Sequence, residues 1–507
     1  MHAPGAQVLN KSKLIFGLLA LTAAALFIHG YHPYAEDSEI YLPGVLKLLN
    51  PSLFPVNAEF FGEHAGHSLY PNLIAASVRL SHLPLPWVMF LWHIASIFLM
   101  LAGTWRLASA FFPDPKPADA GSNDSKADNL RARWAAVTLM AALLTLPLAG
   151  TWLFLLDQYL NPRNLAAFAG IFAIAETLHK RYIIALLWLV FAAACHPFMA
   201  AFSILFCTWL VLLDRFQPRI FGFAAILPFG VTFDLPPAAY HEVALRQRSH
   251  YILRWEWYEW LGAIAPILLF WWFARIARRR GLKNVELASR AIIPVVVVAI
   301  ISAIILSSSP QFEALARLQP LRSLAITYSL LIVIGGGFLG EYVLKAHIWR
   351  WLVLFIPLSL LMFSVQRQVF PASAHIEWPW AKPLNPWAQA FDWIRLHTPV
   401  DALFALNPAH MDLPGEDEIG FRARAERSML ADMVKDKGAS TMFPPLSVEW
   451  LKQVEDQRNW TQFQSSDFER LRQKYGVNWV VIQQPGPSGL DCPYRNAVVR
   501  VCRLEPS

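Results

Sequence analysis

The chain has 507 residues, of which 56% are hydrophobic and only 16% charged, with 21 Trp and 34 Phe. That balance excludes a soluble globular domain and a disordered chain, and leaves a polytopic α-helical membrane protein. The net charge of +7 does not point to nucleic acid, because Lys and Arg lie mostly in short loops beside apolar runs, where they set topology.

Apolar runs near the roughly 20 residues that a bilayer requires occur at 14–28, 86–112, 134–156, 164–178, 182–195, 198–213, 220–233, 257–276, 291–306, 321–339 and 349–365. They predict about eleven spans. In the first run the small residues of "LTAAALF" are followed by further apolar residues, so the segment reads as an uncleaved anchor. Directly after it comes "HGYHPYAEDSEIYLPGVLKLLN", which places Glu36, Asp37 and Glu39 beside the end of a span. Ile40, Val45, Leu46, Leu48 and Leu49 predict a helix facing lipid, and "SLYPNLIAASVRLSHL" predicts a second. The first outer loop, 31–85, is therefore expected to be long and to lie on the membrane.

Within that loop, "EFFGEHAGHSLY" brings Glu63, His64 and His67 together. Gly66 weakens the helix they would share and no fourth ligand is visible, so solvated histidines are expected rather than a stable zinc site. The tract 112–129, rich in Pro, Gly, Asp and Ser, reads as an inert disordered linker on the cytoplasmic side. "LLDQYLNPRNLA" supplies Asp157 and Arg163, and "CHPF" joins two short runs at His196, as either one bent hairpin or two spans. "RWEWYEW" has the composition of an interfacial aromatic belt, and "RLQPLRSLAITY" sets Arg322 at the outer end of a late span.

Basic loops alternate along the chain: Lys11 and Lys13, "DNLRARW", "HKRY", "DRFQPR", "RIARRRGLKN" and "KAHIWRW". This predicts a cytoplasmic N-terminus and, with an odd number of spans, an exported C-terminus. The chain divides into a membrane domain, 1–366, and a soluble α/β domain, 367–507, in which "PWAQAFDWIRLH", "SVEWLKQVEDQ" and "SDFERLRQKYG" have helical spacing and "NWVVIQQPG" and "NAVVRVCRL" read as strands. Cys492 and Cys502 flank a hairpin centred near Ala497 and either form a disulfide, which needs an oxidising compartment, or remain free thiols. Cys195 and Cys207 lie in apolar runs and read as buried thiols.

On Glu36 and Asp37 after span one, Asp157 with Arg163, and the late Arg322, the sequence resembles the GT-C superfamily of multi-pass glycosyltransferases, which includes protein mannosyltransferases and lipid A aminoarabinose transferases. The resemblance implies a polyprenyl-phosphate-linked sugar as donor, a glycan, lipid or protein as acceptor, and a bacterial inner-membrane location with the reaction outside. It implies Asp37, with Glu36, as the carboxylate that takes the acceptor proton, its pKa raised by partial desolvation, and Arg322, with Arg163, Asp157 and His196, in donor binding. Some members use a divalent cation; no other cofactor is implied. Plainer roles stand beside these: Asp37 or Ser38 capping the helix that follows, Asp157 and Arg163 pairing around a turn, and Arg322 anchoring at the headgroups. The rival functions are a noncatalytic scaffold of envelope assembly and a transporter.

Overall fold

The computed structural model describes residues 11–114, 123–216, 236–309 and 312–504, with side chains described from 127 in the second stretch. The first half runs α1 (Lys11–His29), α2 (Ser38–Leu49), α3 (Glu59–Gly66), α4 (Tyr70–Ser81), α5 (Leu85–Phe111), α6 (Asn123–Ala142), α7 (Pro162–Leu178), α8 (Tyr182–Cys195) and α9 (Pro197–Phe216). Then come α10 (Ala239–Leu245), α11 (Trp257–Arg280), α12 (Lys283–Ser307), α13 (Glu313–Ala316), α14 (Leu324–Phe338) and α15 (Ile348–Val369). Among the described residues, seven helical runs are long and apolar enough to cross a bilayer: α1, α5, α9, α11, α12, the run Glu313–Leu344 that contains α13 and α14, and α15. The chain is a multi-pass membrane protein.

Seven of the eleven expected spans correspond to these runs. The segment 220–233 lies outside the described residues, as do 115–122 of the expected linker. Residues 123–129 of that linker instead begin α6. The expected span 134–156 is corrected more deeply, because α6 stops at Ala142 and the chain from 143 to 161 is irregular. Pro147 pairs with Phe154 in an isolated bridge, and Leu144, Leu148, Leu153, Leu155 and Leu156 are buried in the bundle rather than facing lipid. Apolar composition there reflects protein core, which hydropathy does not separate from a span. α7 is buried along almost all of its 17 residues between α5, α8 and α9. α8, at 14 residues, reaches only about 21 Å. At "CHPF" the chain forms two helices, not one bent element.

The expected interfacial helix after span one is α2, whose apolar residues are mostly turned into protein, with Leu48 exposed and Leu49 half-buried. Ile40, Val45 and Leu46 are buried, and α2 packs on α3, α4 and the C-terminal region. Its apolar stripe was covered by protein that sequence periodicity cannot show.

Past α15 the chain forms α16 (Pro386–His397), β1 (Leu403–Leu406), α17 (Phe421–Ala425), β2 (Ser428–Met429), α18 (Lys435–Met442), α19 (Ser447–Asp456), α20 (Ser465–Tyr475), β3 (Trp479–Gln483), β4 (Asp491–Arg495) and β5 (Val499–Arg503). The sheet order is β2-β1-β3-β5-β4, with β1 parallel to β2 and β3, and β5 antiparallel to β3 and β4. Helices cover both faces: Trp387, Phe391 and Phe421 on one, Trp460, Phe468 and Leu471 on the other. Gly476, at φ 77°, ends α20 in the left-handed conformation that glycine adopts without penalty. The sulfurs of Cys492 and Cys502 are bonded across the β4–β5 pair.

Candidate functional site

The turn between α1 and α2 is stitched to the C-terminal sheet region by its backbone. Tyr31 bridges Ile376, Ala35 bridges Ile419, and the Glu36 N–H donates to the Glu418 carbonyl at 2.8 Å. Glu36 is held at φ 56°, a left-handed conformation that costs a non-glycine residue about 1–2 kcal/mol and is sustained only by such surrounding contacts. Its consequence is that Glu36 and Asp37 both point into a cavity of about 530 Å³.

That cavity is built from the Glu36–Tyr41 turn, the irregular 147–163 segment, the approach to α14, and α18, with His64, the 247–250 segment, Asp412 and Glu418 completing its lining. Arg163 sits in the first turn of α7, which Asn161 caps by accepting the Asn164 N–H at 3.0 Å, with Pro162 preset for the helix start. From there its guanidinium donates to Asp157 at 3.0 and 3.2 Å, to the Tyr159 hydroxyl at 3.1 Å, and to Asp37. Lys435, in the first turn of α18, pairs with Glu36 and lies 3.0 Å from Asp37. Asp37 therefore has two cationic partners.

Those partners decide its protonation. Burial alone would raise the Asp37 pKa, but Lys435 and then Arg163 hold the carboxyl well below the usual range. The expectation of a raised pKa is thus reversed, because sequence shows a carboxylate near a membrane and not the two cations folded against it. The capping alternative also falls away. Asp37 does occupy the position before α2, yet its side chain makes no capping hydrogen bond. Asp157 and Arg163 do pair around their turn, and the same Arg163 adds Asp37 to the pair.

Glu418 faces Glu36 across the cavity wall. Burial pushes its carboxyl up to about 10, with the neighbouring Glu36 charge adding to the shift, while Glu36, in spite of burial, is held low by Lys435. The two carboxyls share one proton, held on Glu418. His64 and His250 also line the cavity, and burial lowers them to about 4 and about 3, so both imidazoles are neutral at pH 7.

Two cations at the cavity are differently placed. Arg322 donates to the Gln319 side chain, and Lys437 lies 6.0 Å over the Trp152 ring. Among the described residues neither has a carboxylate within ion-pair distance. Arg322 therefore lines the cavity. His196 ends α8 outside the cavity lining, where its ring accepts the Met199 N–H at 3.4 Å.

Arg163 bridges Asp37 and Asp157, and among the described residues no three His, Cys, Asp or Glu side chains converge as a metal group. His64, on α3, stands edge-on to Phe443 at the end of α18, whereas His67 bonds the Glu63 carbonyl at 2.7 Å. Sequence reasoning missed Lys435, Lys437 and Glu418; the dense charges of "GEDEIG" and "VKDKGAST" were the available signal, though surface loops carry the same composition. In "RWEWYEW", Trp257 and Tyr258 are exposed, but Trp255 is buried against Gly150.

No family model matches the chain, and no curated protein matches it. Two solved structures of an oligosaccharyltransferase from Archaeoglobus fulgidus are similar to it. One, AglB in complex with an inhibitory peptide and a dolichol-phosphate, has a TM-score of 0.44 at 11% identity, covering 93% of this chain and 70% of its own. The other, an apo form, has a TM-score of 0.34 at 11% identity, covering 94% and 70%. At this identity and these scores the likeness carries no argument.

Proposed function

We propose that this protein is a GT-C-like glycosyltransferase that moves a sugar from a polyprenyl-phosphate carrier to an acceptor hydroxyl, with inversion at the anomeric carbon. The observation that supports it is one cavity holding a paired carboxylate, Asp37, together with two cations, Arg322 and Lys437, that have no carboxylate within ion-pair distance among the described residues. Such cations suit a phosphate, which a guanidinium holds through paired donors.

As the acceptor oxygen bonds to the anomeric carbon, the bond from that carbon to the phosphate oxygen breaks and its electron pair leaves on the phosphate. The hydroxyl proton passes to Asp37. Arg322 and Lys437 stabilise the charge that builds on the leaving phosphate. The donor phosphate also competes for Lys435, and each contact drawn away from Asp37 raises that carboxylate's affinity for a proton. Donor binding thereby arms the base. Trp152, 57% exposed at the cavity, offers a flat apolar face to a sugar ring.

In this reading the membrane is a bacterial cytoplasmic membrane and the cavity opens on its outer side, since the basic loops join helix ends remote from the cavity. The test is to copurify the full chain with its bound lipid and identify that lipid by mass spectrometry, alongside Asp37→Asn. A polyprenyl phosphate is expected, and a transfer rate lower by roughly a hundredfold to ten-thousandfold. No polyprenyl lipid, with full complementation by Glu36→Gln/Asp37→Asn, would instead favour the scaffold.

A further inference from the structure

A second recess lies at the opposite end of the bundle. An apolar groove of about 710 Å³ opens between α11 and α14, lined by Phe273, Ile276, Leu331, Phe338 and Tyr342, with Arg279 at its rim. From Arg322 at the reaction cavity to Leu339 beside the groove is 17 residues of largely helical chain, about 25 Å. The groove and the cavity therefore belong to opposite leaflets.

Three features make it more than a gap between helices. Gly335 leaves it open: a Cβ there would meet only the Phe273 ring, at 3.6 Å, whereas Gly336 and Gly337 are pressed against Ala136 and Phe112. Beyond α14 the chain runs as a π-helical turn, Leu339–Leu344, which contributes Leu339, Tyr342 and Val343 to the wall. Such turns are rare and occur disproportionately at binding sites. The third feature is charge. Arg278 pairs with Glu286, Arg280 with the buried Glu341, and Arg275 stacks on Trp271. Arg279 lines the groove and, among the described residues, has no carboxylate within ion-pair distance.

An apolar slot with one unpaired guanidinium at its membrane-surface end is complementary to an amphiphile with an anionic head. We propose that the groove binds an anionic phospholipid of the leaflet remote from the cavity, with an acyl chain along Phe273, Leu331 and Phe338 and its phosphate on Arg279. Tyr342 and Val343, 41% and 49% exposed, leave the slot open sideways to lipid, so the occupant enters from the bilayer.

The experiment is native mass spectrometry of the whole protein in nonionic detergent, incubated separately with phosphatidylglycerol, phosphatidylcholine and a polyprenyl phosphate. Phosphatidylglycerol is expected to be retained about tenfold better than phosphatidylcholine, the scale of one charge-assisted contact. Arg279→Gln should remove that preference, and Gly335→Leu should remove retention of both phospholipids by filling the slot. Equal retention of the two phospholipids by the unsubstituted protein, or a preference that survives Arg279→Gln, overturns the proposal. Displacement of phosphatidylglycerol by the polyprenyl phosphate, reversed by Arg279→Gln, also overturns it and makes the groove a carrier site. Arg279 is exposed at a helix end, so its variant is read even if Gly335→Leu fails to fold.

Discussion

Lys435 and Arg163 fix the ionisation of Asp37, and Arg322 remains available to a ligand, so the two kinds of cation give different outcomes on substitution. Arg322→Gln is expected to weaken donor binding by about tenfold to a hundredfold, the effect of losing a charge-assisted hydrogen bond or two. Titration with a polyprenyl phosphate checks this, and an unchanged affinity would return Arg322 to a structural role. Glu418 gives a pH prediction. Its folded pKa of about 10 lies above the ordinary 4.5, so the native state keeps a proton that the unfolded chain releases. Stability contributed by this group is complete below about pH 4.5 and is lost as pH rises towards 10. Glu418→Gln keeps a donor for Glu36 but cannot titrate. Its melting temperature should exceed that of the unsubstituted protein at pH 9, and the gap should close near pH 5.

At the scale of elements, α2 and α17 are locked by a buried ion cluster. Arg422 donates to Glu39 at 3.1 Å and to both oxygens of Asp436 at 2.9 and 2.7 Å, all three side chains being within 2% of full burial. Glu39 also accepts the Ala423 N–H, and Gly420 lies so close that a Cβ there would fall 2.6 Å from the Glu39 carboxylate. Asp436 follows Lys435 in α18, so the cluster fixes the helix turn that delivers Lys435 to the cavity. Arg422→Met strands two buried carboxylates and should cost about 3–5 kcal/mol. Glu39→Gln retains hydrogen bonding and should cost less than half of that. Thermal unfolding in detergent compares the two; equal losses would mean that the cluster contributes packing and not charge.

For the whole molecule, one end of the helical bundle carries the α1–α2 turn, the cavity and the sheet region, bound into a single body by bridges such as Tyr31 to Ile376. Any compartment assigned to the sheet is therefore assigned to Asp37 as well. Alkaline phosphatase fused after Leu504 is expected to be active, and alkylation under nonreducing denaturation is expected to leave Cys492 and Cys502 unmodified. An inactive fusion with both thiols labelled would put the cavity in the cytoplasm, where the chemistry proposed for it could not use an exported acceptor.

The sequence by itself determined the membrane class, seven of the long apolar runs, three helices and two strands of the C-terminal region, and the positions of Asp37, Asp157, Arg163 and Arg322. These are legible because hydropathy, periodicity and turn chemistry act within a few residues of where they are read. Tertiary structure alone decided that the apolar stretch 143–161 is cavity wall and not a span, that α2 is buried, and that Asp37 is held ionised by a lysine 398 positions later in the chain. Desolvation and ion pairing depend on what is folded alongside, and Lys435 becomes the neighbour of Asp37 only when α18 docks on the turn after α1.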